Sequence, residues 1–418
     1  MMRVLHLNAN SAGGAFMAAQ RLHEAFQQRQ DILSHHLVFS GAPGNYDLWA
    51  QNRIKRYWAT ALHAFEKLDF LRYEKDKSVR FAFSHGRSGI DILSHPLYRN
   101  ADVVHLHWIN KGFISLDGLE NMLQSGKKIV WTCHDLWPFT GGCYHPRDCD
   151  GFTHGCGNCP YLKKPEMDDL SSQVFLQKQQ MYAQARQFQF VAPSQWLSDT
   201  AGRSAVMPHV SPVVIPNGID TRQFAPANRM ELRKKYNISE DENVLLFAAA
   251  NLSNPYKGFA QLNEVLDALK ALNLQKVRIV LIGENKSGVT FSNAWPVQST
   301  GYISKPELMA EWYGLADMYV TTSLEENLPT TIMESMACGT PVAAFQVGGI
   351  PEMVEDGETG VLAPLKSSDE LANKIAAWLQ SAQEIQNQKR EVCRESALNA
   401  WDSRKVAQRY FELYAGNH

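Results

Sequence analysis

The sequence predicts an α/β protein of two doubly wound parallel-sheet domains facing each other across a cleft. Three observations lead there. The chain has 418 residues, more than one compact core organises. Short apolar runs of strand length alternate with longer helix-like stretches from end to end. The runs also fall into two sets, separated by Val213-Val-Ile-Pro-Asn217-Gly218-Ile-Asp220, a β-like segment closing in an Asn-Gly turn.

The first set is Val4–Asn8, Leu37–Ser40, Val103–His107, Lys128–Thr132 and Phe190–Ala192. The second is Val244–Ala249, Val277–Ile282, Met318–Thr321, Val342–Phe345 and Gly360–Ala363. The expected domains are 1–212, with a cysteine-rich insert at 143–159, and 213–400. The tail 401–418 carries a helical pattern from Trp401 to Tyr414 and is expected to pack back on the first domain. Such a pair of sheets offers ligands the carboxyl ends of its strands.

Composition narrows the function classes. Apolar residues make up 44% and charged residues 20%, as in a soluble globular protein, and a net charge of −2 gives no general field for nucleic acid. No apolar run approaches the ~18 residues of a membrane span. Met2-Arg-Val-Leu-His-Leu-Asn8 reads as a strand rather than a signal peptide, so the chain is expected in the cytoplasm. Between residues 51 and 90, nine basic residues stand against four acidic ones, interleaved with Tyr57, Trp58, Phe65, Phe70, Tyr73, Phe81 and Phe83. This stretch reads first as a helix laid over core. The alternative is a helix lying on an anionic membrane.

Four segments carry chemistry. The loop Asn8-Ala-Asn-Ser-Ala-Gly13-Gly14-Ala15 feeds a helix and lets backbone approach a phosphate or sugar. It lacks the G-x-G-x-x-G spacing, which disfavours a nicotinamide cofactor. Lys257, in Asn251-Leu-Ser-Asn-Pro-Tyr-Lys257-Gly258, follows the first strand of the second half and suits a pyrophosphate. His134, in Trp131-Thr-Cys-His134-Asp135, ends a strand of the first half as a hydrogen-bond donor or proton shuttle.

The fourth, Ser323-Leu-Glu-Glu326-Asn-Leu-Pro-Thr-Thr-Ile-Met-Glu334-Ser-Met-Ala-Cys-Gly339-Thr-Pro341, is the most informative. It sets Glu326 on a loop and Glu334 about one turn inside a helix, with the first-turn N–H groups between them. Two hydroxyl-reading carboxylates around an anion site suit a ligand with a sugar, a phosphate and a ribose. Asp148-Cys-Asp150 lies in the insert and is read as chance, so no acidic pair holds a metal at the phosphate. Cys143, Cys149, Cys156 and Cys159 offer four thiols in a Gly-rich loop: a structural zinc, two disulfides or free thiols.

Taken together these segments resemble the retaining glycosyltransferases of family 4, with their GT-B architecture of two Rossmann-like domains. The resemblance also rests on Leu-Ile-Gly283-Glu284, Gly301-Tyr-Ile303, Ala337-Cys-Gly-Thr-Pro341 and Gly348-Gly-Ile-Pro-Glu352. His105-Leu-His107-Trp108 and the cysteine insert resemble a subgroup building bacterial surface polysaccharides of the colanic-acid type. The resemblance implies a UDP- or GDP-sugar donor and transfer with retention, without a catalytic metal or an enzyme nucleophile. It implies a glycan acceptor, carried on a polyprenyl lipid, and peripheral contact with the inner membrane.

By the same resemblance Glu334 holds the ribose, Glu326 the donor sugar and Lys257 the diphosphate. Backbone at Asn327, Leu328 and Gly14 completes the cradle, Gly283 and Ile303 line the donor site, and His134 stands near the reacting centre. The family's arginine six positions before the lysine is Asn251 here, whose amide lacks a guanidinium's bidentate grip. A sugar-nucleotide epimerase, a phosphorylase and a zinc-bearing scaffold without turnover are the alternatives.

Overall fold

The computed structural model of the chain describes residues 1–208, 210–272, 274–285 and 295–416. The apolar runs of the first half become strands β1 (Met2–Asn10), β2 (Ile32–Ser40), β3 (Asp47–Leu48), β4 (Val103–Leu106), β5 (Lys128–Thr132), β6 (Phe188–Ala192) and β7 (Val213–Val214). They pair in parallel in the order β3-β2-β1-β4-β5-β6-β7. The second half gives β8 (Asn243–Asn251), β9 (Val277–Glu284), β10 (Val297–Gly301), β11 (Met318–Thr321), β12 (Val342–Phe345) and β13 (Gly360–Ala363). These are also all parallel, in the order β10-β9-β8-β11-β12-β13. By contacts the chain divides into two compact units, Met1–Pro216 with Arg404–His418, and Asn217–Ser403.

Both sheets are covered on both faces, which is why their central strands read as unbroken apolar runs. In the first unit Val4, Val103, Val130 and Val191 alternate onto one face, against Leu22 and Phe26 and against Val406 and Tyr410 of the tail helix Ser403–Ala415. Their neighbours Leu5, Val104, Ile129 and Phe190 face the other, larger cluster. The second unit repeats the scheme: Leu246, Val280, Tyr319 and Ala344 face one core, and Leu245, Ile279, Val320 and Ala343 the other. The edge strand β10, Val-Gln-Ser-Thr-Gly, is polar and escapes an apolar search.

One expectation is corrected. The aromatic stretch after residue 51 forms the helix Arg53–Phe70, with Asn52 accepting the Lys55 N–H at 2.9 Å, but most of its aromatics do not cover core. Tyr57, Trp58 and Phe65 are 72%, 56% and 55% exposed. The side turned inward is held by Ala59, Phe70 and Glu66, whose buried carboxylate accepts the Ser84 hydroxyl.

Candidate functional site

In the second sheet β8 and β11 are neighbours, and the chain leaves them for opposite edges. The loops after two such strands diverge, and the crevice they leave is where open parallel sheets bind ligands. The loop after β8 carries Lys257 on the 3-10 turn Pro255–Lys257, and the loop after β11 carries Glu326. The Lys257 ammonium is ion-paired with the Glu326 carboxylate. Backbone ties the two loops: Leu324 N–H donates to the Tyr256 carbonyl at 2.8 Å, and the Thr322 hydroxyl to the Gly258 carbonyl at 2.7 Å. Gly258 has φ +69, and a Cβ there would lie 1.8 Å from the Thr322 carbonyl oxygen. The contact that brings lysine to glutamate therefore requires glycine.

The helix Thr330–Ala337 starts directly after this loop, with Pro329 at its N-cap and no side-chain cap. Glu334 is its fifth residue, buried, and its carboxylate accepts the Tyr313 hydroxyl at 3.2 Å. Burial, followed by the Glu334 charge, pushes the Tyr313 phenol well above its ordinary value, so it stays a donor. Tyr313 sits 21 positions upstream on the helix Pro306–Leu315, and no local sequence signal announces it.

The remaining expected donor residues fall at or after the carboxyl ends of the strands, with different duties. Asn251 ends β8, and its side-chain oxygen accepts the Ser253 N–H at 3.0 Å, opening the turn toward Lys257. Gly283, at the end of β9, is accounted for by packing: a Cβ would lie 1.8 Å from the Ala249 carbonyl oxygen. The Asn327 carbonyl accepts the Gly349 N–H at 2.9 Å. Leu328 is buried in a core cluster against which Ile303, two residues past β10, also packs.

In the first sheet the order reverses between β1 and β4. Ala9 N–H donates to the Trp108 carbonyl at 2.7 Å, joining the end of β1 to the loop that follows β4. The helix Gly14–Gln27 begins there without a side-chain cap, and a Cβ on Gly14 would meet no atom within 4 Å. Packing thus leaves the small residue at 14 unexplained.

His134 follows β5, half-buried, with Nε2 3.1 Å from His107 Nδ1, and His107 Nε2 is 3.2 Å from His6 Nδ1. His105 Nε2 lies 2.7 Å from Thr132 Oγ1, and its Nδ1 lies 2.6 Å from the Tyr414 hydroxyl. Burial pushes His134 down to about 4 and His6, His105 and His107 well below their ordinary value. Near pH 7 these rings are neutral, each giving one hydrogen bond and able to take one. His6, His105 and His107 are the only three metal-capable side chains found within 4.8 Å of one another among the described residues. Both nitrogens of His105 and of His107 are already spent in hydrogen bonds, so the trio fits a neutral network better than an ion.

Cys143, Cys149, Cys156 and Cys159 line one cavity of about 20 Å³, and none is in a disulfide. Gly141 N–H donates to Cys156 Sγ at 3.2 Å. Burial pushes Cys156 up to about 12 and Cys159 to about 11, so a thiolate set forms there only with a cation. The sulfurs surround the cavity without three of them closing to within 4.8 Å. Beside them Lys178 is fully buried, its ammonium on the Trp137 and Thr140 carbonyls and 3.5 Å from the Trp137 ring centroid.

Comparison with known sequences settles the family. The profile of Glycosyltransferase Family 4 matches residues 12–223, and that of Glycosyl transferases group 1 matches residues 228–399. The chain belongs to glycosyltransferase family 4. This family 4 chain is 27% identical over 214 residues to the N-acetyl-alpha-D-glucosaminyl L-malate synthase of Bacillus anthracis. That match spans 50% of this chain and only 55% of the relative. It is 26% identical over 366 residues to the putative colanic acid biosynthesis glycosyl transferase WcaC of Escherichia coli, spanning 85% of each. The crystal structure of Anabaena Alr3699/HepE, in complex with UDP and glucose, shares the fold with a TM-score of 0.64. It is 16% identical and covers 99% of this chain and 100% of that one.

Proposed function

We propose that this chain transfers a sugar, with retention and without a catalytic metal, from a UDP- or GDP-sugar to a surface-polysaccharide glycan carried on a lipid. The observation that carries this reading is the Lys257–Glu326 pair, set with Glu334 on the loop and helix after β8 and β11, where the strand order reverses. An acceptor on a polyprenyl lipid brings the chain to the cytoplasmic face of a membrane. The colanic acid transferase, a relative over most of its length, and the UDP-bound fold neighbour support the substrate classes.

In this reading the ribose hydroxyls donate to Glu334, held in place by Tyr313. Lys257 meets the diphosphate, aided by backbone N–H groups of Asn327 and Leu328, and takes the charge that develops on the leaving oxygen. Glu326, paired with Lys257, also accepts hydrogen bonds from the donor-sugar hydroxyls. In the first unit, Gly14 gives its backbone to the phosphate, and neutral His134 donates a hydrogen bond to the donor sugar. The anomeric carbon loses its phosphate oxygen and gains the acceptor oxygen on the same face, and the acceptor proton passes to the departing phosphate. Any zinc ion held by the four cysteines would be structural, since four thiolates leave no open position.

Asn251 favours a second reading, a scaffold without turnover, because the amide cannot replace a phosphate-gripping arginine. Calorimetric titration with UDP and with GDP, followed by a hydrolysis assay over a panel of nucleotide sugars, separates the two. Binding of one nucleotide with slow donor hydrolysis is expected. Absence of binding by both would sink the transferase reading.

A further inference from the structure

We propose that the helix Arg53–Phe70 docks this chain flat on an anionic lipid surface. Its apolar stripe would enter the boundary between headgroups and acyl chains. The stripe is Ile54, Tyr57, Trp58, Phe65 and Leu68, exposed by 71%, 72%, 56%, 55% and 61%. At 3.6 residues per turn these five fall within an arc of roughly 100°. The buried residues Ala59, Glu66 and Phe70 lie on the opposite side of the helix. An ordinary surface helix turns its apolar stripe inward. This one turns it out, and exposed Phe81, with the Lys67 ammonium 5.4 Å from its ring centroid, extends the patch.

The exposed charge on the helix flank selects the occupant: by the same helical spacing Arg53 borders the stripe, and Arg56 and Lys67 lie farther round, between it and the buried side. Arg53, Arg56 and Lys67 are exposed on the same helix. Its two carboxylates are withdrawn: Glu66 is buried, and Asp69 is half-buried and ion-paired with Arg87 at 3.1 Å and Arg72 at 3.5 Å. The outward surface of the helix is therefore apolar and cationic with no exposed carboxylate. A second copy would bring the same cations against one another across a symmetric contact. A bilayer with acidic headgroups supplies apolar depth and negative charge together. No helix among the described residues is long and apolar enough to cross a membrane, so the attachment is a surface one. The inference rests on the lipid-linked acceptor only for its biological sense; the helix face stands by itself.

The test is co-sedimentation of the full chain with vesicles of phosphatidylcholine alone and of phosphatidylcholine mixed with phosphatidylglycerol. Binding to the mixed vesicles and not to the neutral ones is expected. Trp58→Glu/Phe65→Glu should abolish it, and Arg53→Gln/Arg56→Gln/Lys67→Gln should weaken it by roughly 10²-fold. All five positions are exposed, so an unchanged thermal melt is expected for both variants. Both should keep wild-type nucleotide binding, which separates failure of docking from failure of the transferase reading. Absence of binding to mixed vesicles, equal binding to both kinds, or equal binding by the variants would overturn the proposal. So would a dimer in light scattering that Trp58→Glu/Phe65→Glu dissociates.

Discussion

His107 joins His134 to His6: its Nδ1 stands 3.1 Å from His134 Nε2 and its Nε2 stands 3.2 Å from His6 Nδ1. The far nitrogen of His6, Nε2, is buried without a hydrogen-bond partner. A buried N–H left unpaired costs more than an unfilled lone pair. The chain of bonds therefore starts with His6 Nδ1–H donating to His107 and continues with His107 Nδ1–H donating to His134 Nε2. His134 is left with its hydrogen on Nδ1, as a donor. Two-bond proton–nitrogen spectra of ring-labelled protein should show His134 as the Nδ1–H tautomer, and an Nε2–H tautomer would reverse the chain.

These rings and the buried histidines around them are expected to make the first unit acid-labile. Burial holds His134 and His23 down to about 4 and His36 to about 3, with His6, His105 and His107 also well depressed. An unfolded histidine protonates near 6.5, so unfolding takes up protons below that pH and stability is lost as pH falls toward the folded values. Each ring gives a slope of about 1.4 kcal/mol per pH unit, and three together give about 4, a large share of a domain's stability. The melting temperature of the first unit should be level between pH 7 and 8 and fall steeply below ~6.5. A level profile down to pH 5 would contradict the neutral assignment.

Most of the fold was legible because both sheets are buried on both faces. β11, β12 and β13 coincide with the expected runs, and β1, β2, β6, β8 and β9 extend theirs by a few residues. β10 was not legible: an edge strand with one apolar residue has no pattern to find. Lys257, Glu326 and Glu334 were legible as candidates because the first two sit on strand-to-helix passages with their own turn residues and the third lies in the helix that the second passage opens. Tyr313 and the role of His107 could not, since a hydrogen bond across 21 or 27 residues is set by how strands and helices stack. The outward stripe of Arg53–Phe70 was misread because helical spacing gives the arc of a stripe and not the direction it faces.

Gly14→Ala separates packing from ligand approach. A Cβ there would meet no protein atom within 4 Å, so the fold should tolerate it, and thermal stability should stay within ~1 kcal/mol of wild type. If donor phosphate lies against this backbone, the methyl group occupies its place. Donor hydrolysis should then drop by at least ~10-fold in kcat/KM. Unaltered turnover would remove Gly14 from the site.

The cysteine cavity predicts a metal count. Protein prepared without chelator should carry about one zinc per chain, and Cys156→Ser/Cys159→Ser should lose it and melt earlier. A zinc tetrathiolate is a net dianion, and buried Lys178 beside it, held down to about 7 by burial, would gain a counter-charge. Metal-free protein with seven titratable thiols would leave the cluster as free thiols; fewer thiols would point to disulfides.

Lys257 and Glu326 should behave as one unit. Lys257→Ala leaves a carboxylate whose side chain is only 12% exposed without its cation, and also removes the positive charge offered to the diphosphate. Glu326→Ala removes the hydroxyl acceptor and frees the ammonium to swing. Each is expected to cost at least ~10²-fold in kcat/KM, on the scale of losing one preorganised charge. Residues that act through each other are not additive, so the double variant should lose little more than the worse single one. Losses that multiply, to roughly 10⁴-fold, would mean that the pair is a resting contact and that the two side chains serve the donor independently. Glu334→Ala, held by Tyr313 outside that pair, should multiply with either.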